Sequence, residues 1–278
     1  MLKREHAESW LKEAGALALR YFRKVKPSIK DDKTYVTEAD LAVQSLLKEK
    51  IVDTYPQVGI ISEENFSRKP QDGETYFVLD PIDGTAMFVS GLPLWGIALG
   101  VIKSGKPIAG YFYMPATDDF YYTETDGPVY LNKTKTGLKP FDKTHSESVL
   151  LTVSRAHKRF DIKPDYPGKV RCLGSTQAHI CYVATGSADV ALVSGSYIWD
   201  LAAGVAMLYR NGGTARYFNG DQFFFLEELF QKRKLALPVL LGQDSSIQYF
   251  IENVKCRWPE SGYEYFSNNF SLMKMCLL

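Results

Sequence analysis

The sequence predicts a layered α+β fold, and three observations predict it. Apolar runs in the middle of the chain are separated by turn signals, in the manner of an antiparallel meander. Strand-like and helix-like segments alternate in the second half. The hydrophobic share, 45% of 278 residues, is enough for a sizeable core.

The elements follow in order. Trp10, Leu11, Ala14, Leu17, Ala18, Tyr21 and Phe22 recur at helical spacing, and Pro27 closes that pattern. A second helix is expected from Thr37, with Leu41, Leu46, Leu47 and Ile51 on its apolar side and Thr37 and Asp40 at capping-box spacing. Short strands are expected over 58–62 and 76–79, on either side of a polar loop over 67–74 that contains Pro70 and Gly73. The second strand runs into Asp80, and Pro81, which has no amide hydrogen, is expected to take the chain out of the sheet. The meander comprises 95–102, 107–114 and 119–123, and the polar segment 133–143 is expected to separate two packed lobes of a single domain spanning 1–278. The N-terminal lobe would cover about 1–140 and the C-terminal lobe about 145–278. In the latter a strand over 149–154, a helix over 176–185, a strand over 190–193 and a helix over 201–209 follow, the last closed by Asn211-Gly212-Gly213.

The charge balance excludes some partners. Lys and Arg number 33 against 32 Asp and Glu, a formal net charge of +1, so neither nucleic acid nor an anionic membrane is expected as partner. The N-terminus turns acidic at once and has no apolar core of a secretory signal, and the most apolar stretch, 88–102, is broken by Ser90, Gly91 and Pro93. Cys172, Cys181, Cys256 and Cys276 form no C-x-x-C pair, which favours free thiols in a reducing, cytoplasmic setting.

Chemistry concentrates in Asp80-Pro81-Ile82-Asp83-Gly84-Thr85. Two carboxylates three residues apart at a strand end would raise one another's pKa unless a cation lies between them, and oxygen-only ligands favour a hard ion such as Mg²⁺. Gly84 and Thr85 open a short helical segment whose first amides suit an anion. Asp-Pro and Asp-Gly are also ordinary turn dipeptides. Glu63 and Glu64 end the preceding strand, Asp200 stands at the start of a helix, and Asp40 sits at a helix start; singly, each reads better as a solvated or capping acid.

Their joint order resembles the inositol monophosphatase family. The matching pieces are Val36-Thr37-Glu38-Ala39-Asp40, Ile61-Ser62-Glu63-Glu64, the Asp80–Thr85 motif, Cys172-Leu173-Gly174-Ser175, Ala184-Thr185-Gly186-Ser187-Ala188-Asp189 and Trp199-Asp200-Leu201-Ala202-Ala203-Gly204. The resemblance implies an αβαβα sandwich of the sugar-phosphatase kind, a homodimer, and a Mg²⁺-dependent, Li⁺-sensitive phosphomonoesterase that activates water with two or three Mg²⁺ ions. By the same resemblance Glu63, Asp80 and the Ile82 carbonyl hold one ion, and Asp80, Asp83 and Asp200 a second. Thr85, Asp40 and Glu63 are the implied catalytic residues, with Asp83, Gly84, Thr85, Gly174, Ser175, Thr176 and Asp200 facing the substrate phosphate.

Some residues depart from the pattern. Inositol-specific members carry a Glu seven residues before the Trp-Asp aspartate, where this chain has Val193. Substrates other than an inositol monophosphate therefore stay open: histidinol phosphate, 3′-phosphoadenosine 5′-phosphate or fructose 1,6-bisphosphate, all small phosphorylated metabolites. A non-catalytic regulatory relative is the remaining alternative. The aromatic run Phe223-Phe224-Phe225 is expected to belong to the core, or else to line a pocket.

Overall fold

Five layers alternate helix and sheet in the computed structural model, which describes residues 1–30, 34–63, 74–163, 166–223, 225, 234–235 and 237–256. The outer helical layer is α1 (Arg4–Tyr21) and α2 (Glu38–Thr54), preceded in the chain by the small β1–β2 hairpin (Ser28–Ile29, Tyr35–Val36) in the case of α2. It covers a seven-stranded sheet in the order β3 (Gly59–Ser62), β4 (Thr75–Asp83), β5 (Gly96–Lys103), β6 (Lys106–Met114), β7 (Asp119–Thr123), β8 (Val129–Leu131) and β9 (Thr134–Lys135). Short α3 (Thr85–Val89) follows β4.

The chain then enters a second, five-stranded sheet. Its order is β12 (Lys169–Arg171), β10 (Val149–Thr152), β13 (Val190–Val193), β15 (Val239–Gly242) and β14 (Thr214–Tyr217). Between the sheets lie α4 (Thr176–Ala184) and α5 (Ala202–Arg210), while α6 (Asp244–Asn253) covers the far face of the second sheet. A separate pair, β11 (Phe160–Ile162) and β16 (Val254–Cys256), completes the set.

The strands that read as unbroken apolar runs do so because both faces of each sheet are covered. Along β4, Tyr76 and Val78 point into the core between the sheets, whereas Phe77 and Leu79 point toward α1 and α2. β6 repeats this, with Phe112 and Met114 inward and Tyr111 and Tyr113 outward. Phe223 and Phe225 lie in the core between the sheets; Phe224 and Glu64 lie outside the described residues, as does the loop over 67–73.

Helix α5 approaches the first sheet through glycine. A Cβ on Gly110 would lie 2.2 Å from the Ala203 carbonyl oxygen, and one on Gly100 2.6 Å from the Ala202 Cβ. The backbone carbonyl cannot swing aside as a flexible side chain could. Gly110→Ala is expected to cost about 1–3 kcal/mol, read as a lower denaturant midpoint at unchanged slope. An unchanged midpoint would mean that α5 is not seated this closely.

Two element boundaries differ from expectation. Helix α1 stops at Tyr21, well before Pro27, because Phe22 leaves the helix to place its ring 5.4 Å from Phe88 and 5.5 Å from Trp95. Strand β4 does not end at Asp80: it runs through Pro81 to Asp83, with a register shift between Asp80 and Asp83. Proline is tolerated because the shift leaves Pro81 and Ile82 without ladder partners, so no amide hydrogen is missed there.

Candidate metal and phosphate site

The bulge in β4 makes the site. In a regular strand, residues three apart point to opposite faces. Asp80 pairs with Ala98 and Asp83 with Gly96, so three steps on β4 face two on β5 and one residue is extra. The extra residue turns both carboxylates to the same side. Asp200 joins them from the loop between β13 and α5, and the three offer oxygens that all lie within 4.8 Å of one another.

The parallel pairing of β3 with β4 brings in a further acid. Ser62 is opposite Leu79, which sets Glu63 alongside Asp80. Glu63 Oε1 accepts from Lys30 Nζ at 2.6 Å. In the second sheet, β10 and β13 are also parallel, and Asp200 lies beyond their C-terminal ends. The cluster thus sits where the C-terminal ends of parallel strands from both sheets meet, the usual location for ligands in such sheets.

Asp80 is the electrostatic centre. Burial, then repulsion from Glu63, Asp83, Asp200 and Asp40, holds its carboxyl well above the usual carboxylate range. It is 2% exposed, and its Oδ1 has no hydrogen-bond partner. The sequence-level expectation of mutual repulsion is therefore met in direction, while burial is the larger cause.

Asp83 is pushed up to about 6, mainly by burial, against the opposing effect of its hydrogen bonds to Ser175, Gln177 and Thr176. Those donors come from the N-terminus of α4. The Ser175 hydroxyl and the Gln177 amide (2.9 Å) donate to Oδ2, and the Thr176 amide donates to Oδ1 at 3.1 Å. An anion at a helix N-terminus is favoured by the aligned peptide dipoles. Ser175 and Thr176, expected to face the substrate, thus have that hydroxyl and that amide engaged by Asp83. Ser175 also caps α4 by accepting from the Ala178 amide at 3.0 Å.

Asp200 is raised well above the usual range by burial and by Asp83, while the Tyr197 amide, which donates to its Oδ2 at 2.7 Å, and Lys234 act the other way. Helix α5 begins only at Ala202, so Asp200 closes the 197–200 turn rather than opening the helix.

Around the motif, Gly84 caps α3 with φ of 88°, in the left-handed region that favours glycine. A Cβ there would also meet the carbonyls of Leu94 at 3.0 Å and Gly174 at 3.3 Å. The Thr85 hydroxyl donates to the Ile82 carbonyl at 3.0 Å, leaving that oxygen a second lone pair. Asp40 Oδ2 accepts from the Thr37 amide at 2.8 Å and from the Thr37 hydroxyl at 2.7 Å, a complete capping box. Val193 is 1% exposed and belongs to the core between the sheets.

Gln177 is a residue of the site that escaped the sequence reading. Gln177 is fully buried; its amide holds Asp83, its Nε2 donates to the Trp199 carbonyl at 2.7 Å, and its Oε1 accepts from the Gly204 amide at 2.8 Å. It ties Asp83 and the turn carrying Asp200 to one helix. The available signal was a long polar side chain two residues past a Ser cap in a mostly apolar helix.

Oxygen donors only, three carboxylates converging, and one buried carboxylate oxygen lacking a partner together fit a hard divalent cation. Without it, folding gathers like charges. The folded state then binds protons more tightly than the unfolded chain, so the stability linked to these groups is full below about pH 4. For Asp83 it is lost as pH rises through about 6. The gap in melting temperature between Mg²⁺-loaded and chelated protein is expected to widen from pH 4 to pH 7. The unfolding free energy behind that gap changes by up to about 1.4 kcal/mol per pH unit per titrating group. A gap that stays constant in thermal melts across that range would contradict the arrangement.

A cluster of two buried carboxylates and one half-buried one, at strand ends of a five-layer fold, can hold a metal ion, and sequence likeness makes this framework that of a phosphoric monoester hydrolase. Residues 3–238 match the sequence profile described as the inositol monophosphatase family. The chain belongs to that family. It is 31% identical to the probable inositol 1-monophosphatase ImpA of Mycobacterium tuberculosis over 233 residues, 78% of this chain and 84% of that protein. It is 29% identical to the histidinol-phosphatase of Chlorobaculum parvum, over 76% of this chain and 83% of that one. Among solved structures, an IMPase/NADP phosphatase complexed with Mg²⁺ and phosphate superposes with a TM-score of 0.75 at 18% identity, covering 88% of this chain and 91% of that one. Among the described residues no helix is long and apolar enough to cross a membrane.

Proposed function

We propose that the protein hydrolyses a small phosphate monoester with Mg²⁺ at the Asp80–Asp83–Asp200 cluster. The observation that carries this reading is Asp80, buried among four other acids with an oxygen that has no hydrogen-bond partner. Glu63, Asp80 and the Ile82 carbonyl would hold one ion, and Asp80, Asp83 and Asp200 another. When bound, the ions neutralise phosphate oxygens and acidify water.

The chain's own part is to orient and to hold. Thr85 and Asp40 would position the attacking water, and the first amides of α3, at Gly84 and Thr85, would face the phosphate. Ser175 and Thr176 would support the phosphate side by fixing Asp83, and Gly174 would face the phosphate beside them. Water adds its oxygen to phosphorus, the ester oxygen departs and takes up a proton, and an alcohol and inorganic phosphate result. No nucleophilic Ser or Cys is needed. The same reading has the protein act in the cytoplasm as a homodimer, on a small phosphorylated metabolite, and makes it sensitive to Li⁺.

The test is phosphate release by purified protein from inositol phosphates, fructose 1,6-bisphosphate, histidinol phosphate and 3′-phosphoadenosine 5′-phosphate, with Mg²⁺ and with chelator. Release that chelator abolishes is the expected result. Release unaffected by chelator would sink the proposal.

A further inference from the structure

The loop from Val193 to Asp200 joins the end of β13 to the third carboxylate, and a cation stands at each end of it. Arg159 Nη1 lies 3.4 Å from the Ser194 hydroxyl oxygen. Parallel pairing of β10 with β13 explains this contact, since the chain leaving β10 runs beside the chain leaving β13. At the other end Lys234 forms an isolated antiparallel bridge with Tyr197, and its Nζ stands 5.0 Å from the centre of the Tyr197 ring.

Tyr197 is itself held firmly. Its ring stacks on Trp199 with centroids 4.7 Å apart and planes 8° from parallel, and its amide donates to Asp200. Gly195 leaves the stem of Lys234 room, since a Cβ there would already touch Lys234 Cε at 3.4 Å. One residue, Tyr197, therefore fixes an acid of the metal cluster through its backbone and a cation through its ring. Lys234 is exposed, and among the described residues it makes no ion pair. Its charge acts on Asp200 from a distance, but among the described residues no carboxylate lies within ion-pair distance of it, so the ammonium held by the ring can also meet an anion from solution.

We propose that Lys234 is a specificity-determining residue that receives a second anionic group, phosphate or carboxylate, of a substrate whose first phosphate is hydrolysed at the carboxylate cluster. The inference rests on the phosphatase reading and narrows it. A polyol bearing one phosphate finds no polar side-chain atom at Val193 and has no charge for Lys234. Histidinol phosphate presents an ammonium to an ammonium. Esters with a second acid group gain a charge-assisted contact, reinforced by the field of Arg159.

Two matched pairs of esters test it: glycerol 2-phosphate with 2-phosphoglycerate, and fructose 1-phosphate with fructose 1,6-bisphosphate. The readout is the ratio of kcat/KM for the member with two anionic groups over its partner with one. That ratio is expected to favour the former in the wild type and to fall about tenfold in Lys234→Met and Lys234→Gln, chiefly through KM. Lys234→Arg should retain most of it, and added salt should compress it. A ratio unchanged by Lys234→Met, or a wild type that favours the members with one anionic group, overturns the inference while the phosphatase reading stands. Absence of Mg²⁺-dependent release from every ester by folded protein removes that reading, and this inference with it.

Discussion

Replacing Asp80 by Asn is expected to lower Mg²⁺-dependent phosphate release by roughly three orders of magnitude and, in chelator, to raise the melting temperature by several degrees. The two effects have one cause. Asp80 is buried, its Oδ1 has no partner, and the charges of Glu63, Asp83, Asp200 and Asp40 all act against its ionisation. A site poised for a cation is a cost to the empty fold, because buried like charges repel and are poorly solvated. The Asn side chain has nearly the same shape, removes the charge at the centre, and brings two N–H donors to a neighbourhood rich in carboxylate acceptors. It cannot replace the carboxylate toward a divalent ion. Activity assays beside thermal melts in chelator decide the matter. Near-normal turnover would sink the metal assignment, and a lowered melting temperature would show that Asp80 contributes a bond to the empty fold.

Asp83→Asn is expected to cost as much turnover but to shift stability the other way, by about 1–2 kcal/mol toward unfolding. Asp83 accepts hydrogen bonds on both oxygens, from the Ser175 hydroxyl and the Thr176 and Gln177 amides. An amide side chain has one acceptor oxygen, so in either orientation its NH₂ meets at least one donor at the α4 N-terminus. The helix also loses an anion at its positive end. Relief of the burial that pushes Asp83 up to about 6 offsets part of that loss. Denaturant unfolding of both variants in chelator separates the cases, with opposite signs expected. Equal stabilisation of the two would mean that the bonds to α4 contribute nothing to the fold.

This contrast shows what a motif conveys. In Asp80-Pro81-Ile82-Asp83, the two acids look interchangeable, and the expectation that Pro81 ends the strand follows from its missing amide hydrogen. The structure keeps the strand going and spends the proline in a bulge, where no hydrogen bond is required of it. That bulge turns acids at odd spacing to one side. Local propensity does not reveal it, because a bulge depends on what the neighbouring strand offers.

The elements with strong local signals were legible. The Thr37–Asp40 capping box, the strands over 119–123 and 190–193, and the meander around them follow from period, turn residues and caps. Glu63, Asp80, Asp83 and Asp200 could be named as a set only through the order of several motifs, since each acid alone reads as a cap or a solvated loop. Gln177, Tyr197 and Lys234 could not be named at all. Their importance comes from partners 22 to 94 residues away in the case of Gln177, and from a single backbone bridge in the case of Lys234.

By itself, the sequence determined the alternation of helix and strand and the family, because these rest on periodicity and on motif order along the chain. Only the tertiary structure decided which acid is unpartnered and which is tied to a helix, and which cation lies against the Tyr197 ring. Those properties are differences in burial and hydrogen bonding between chemically identical groups, and such differences exist only once remote segments are brought together.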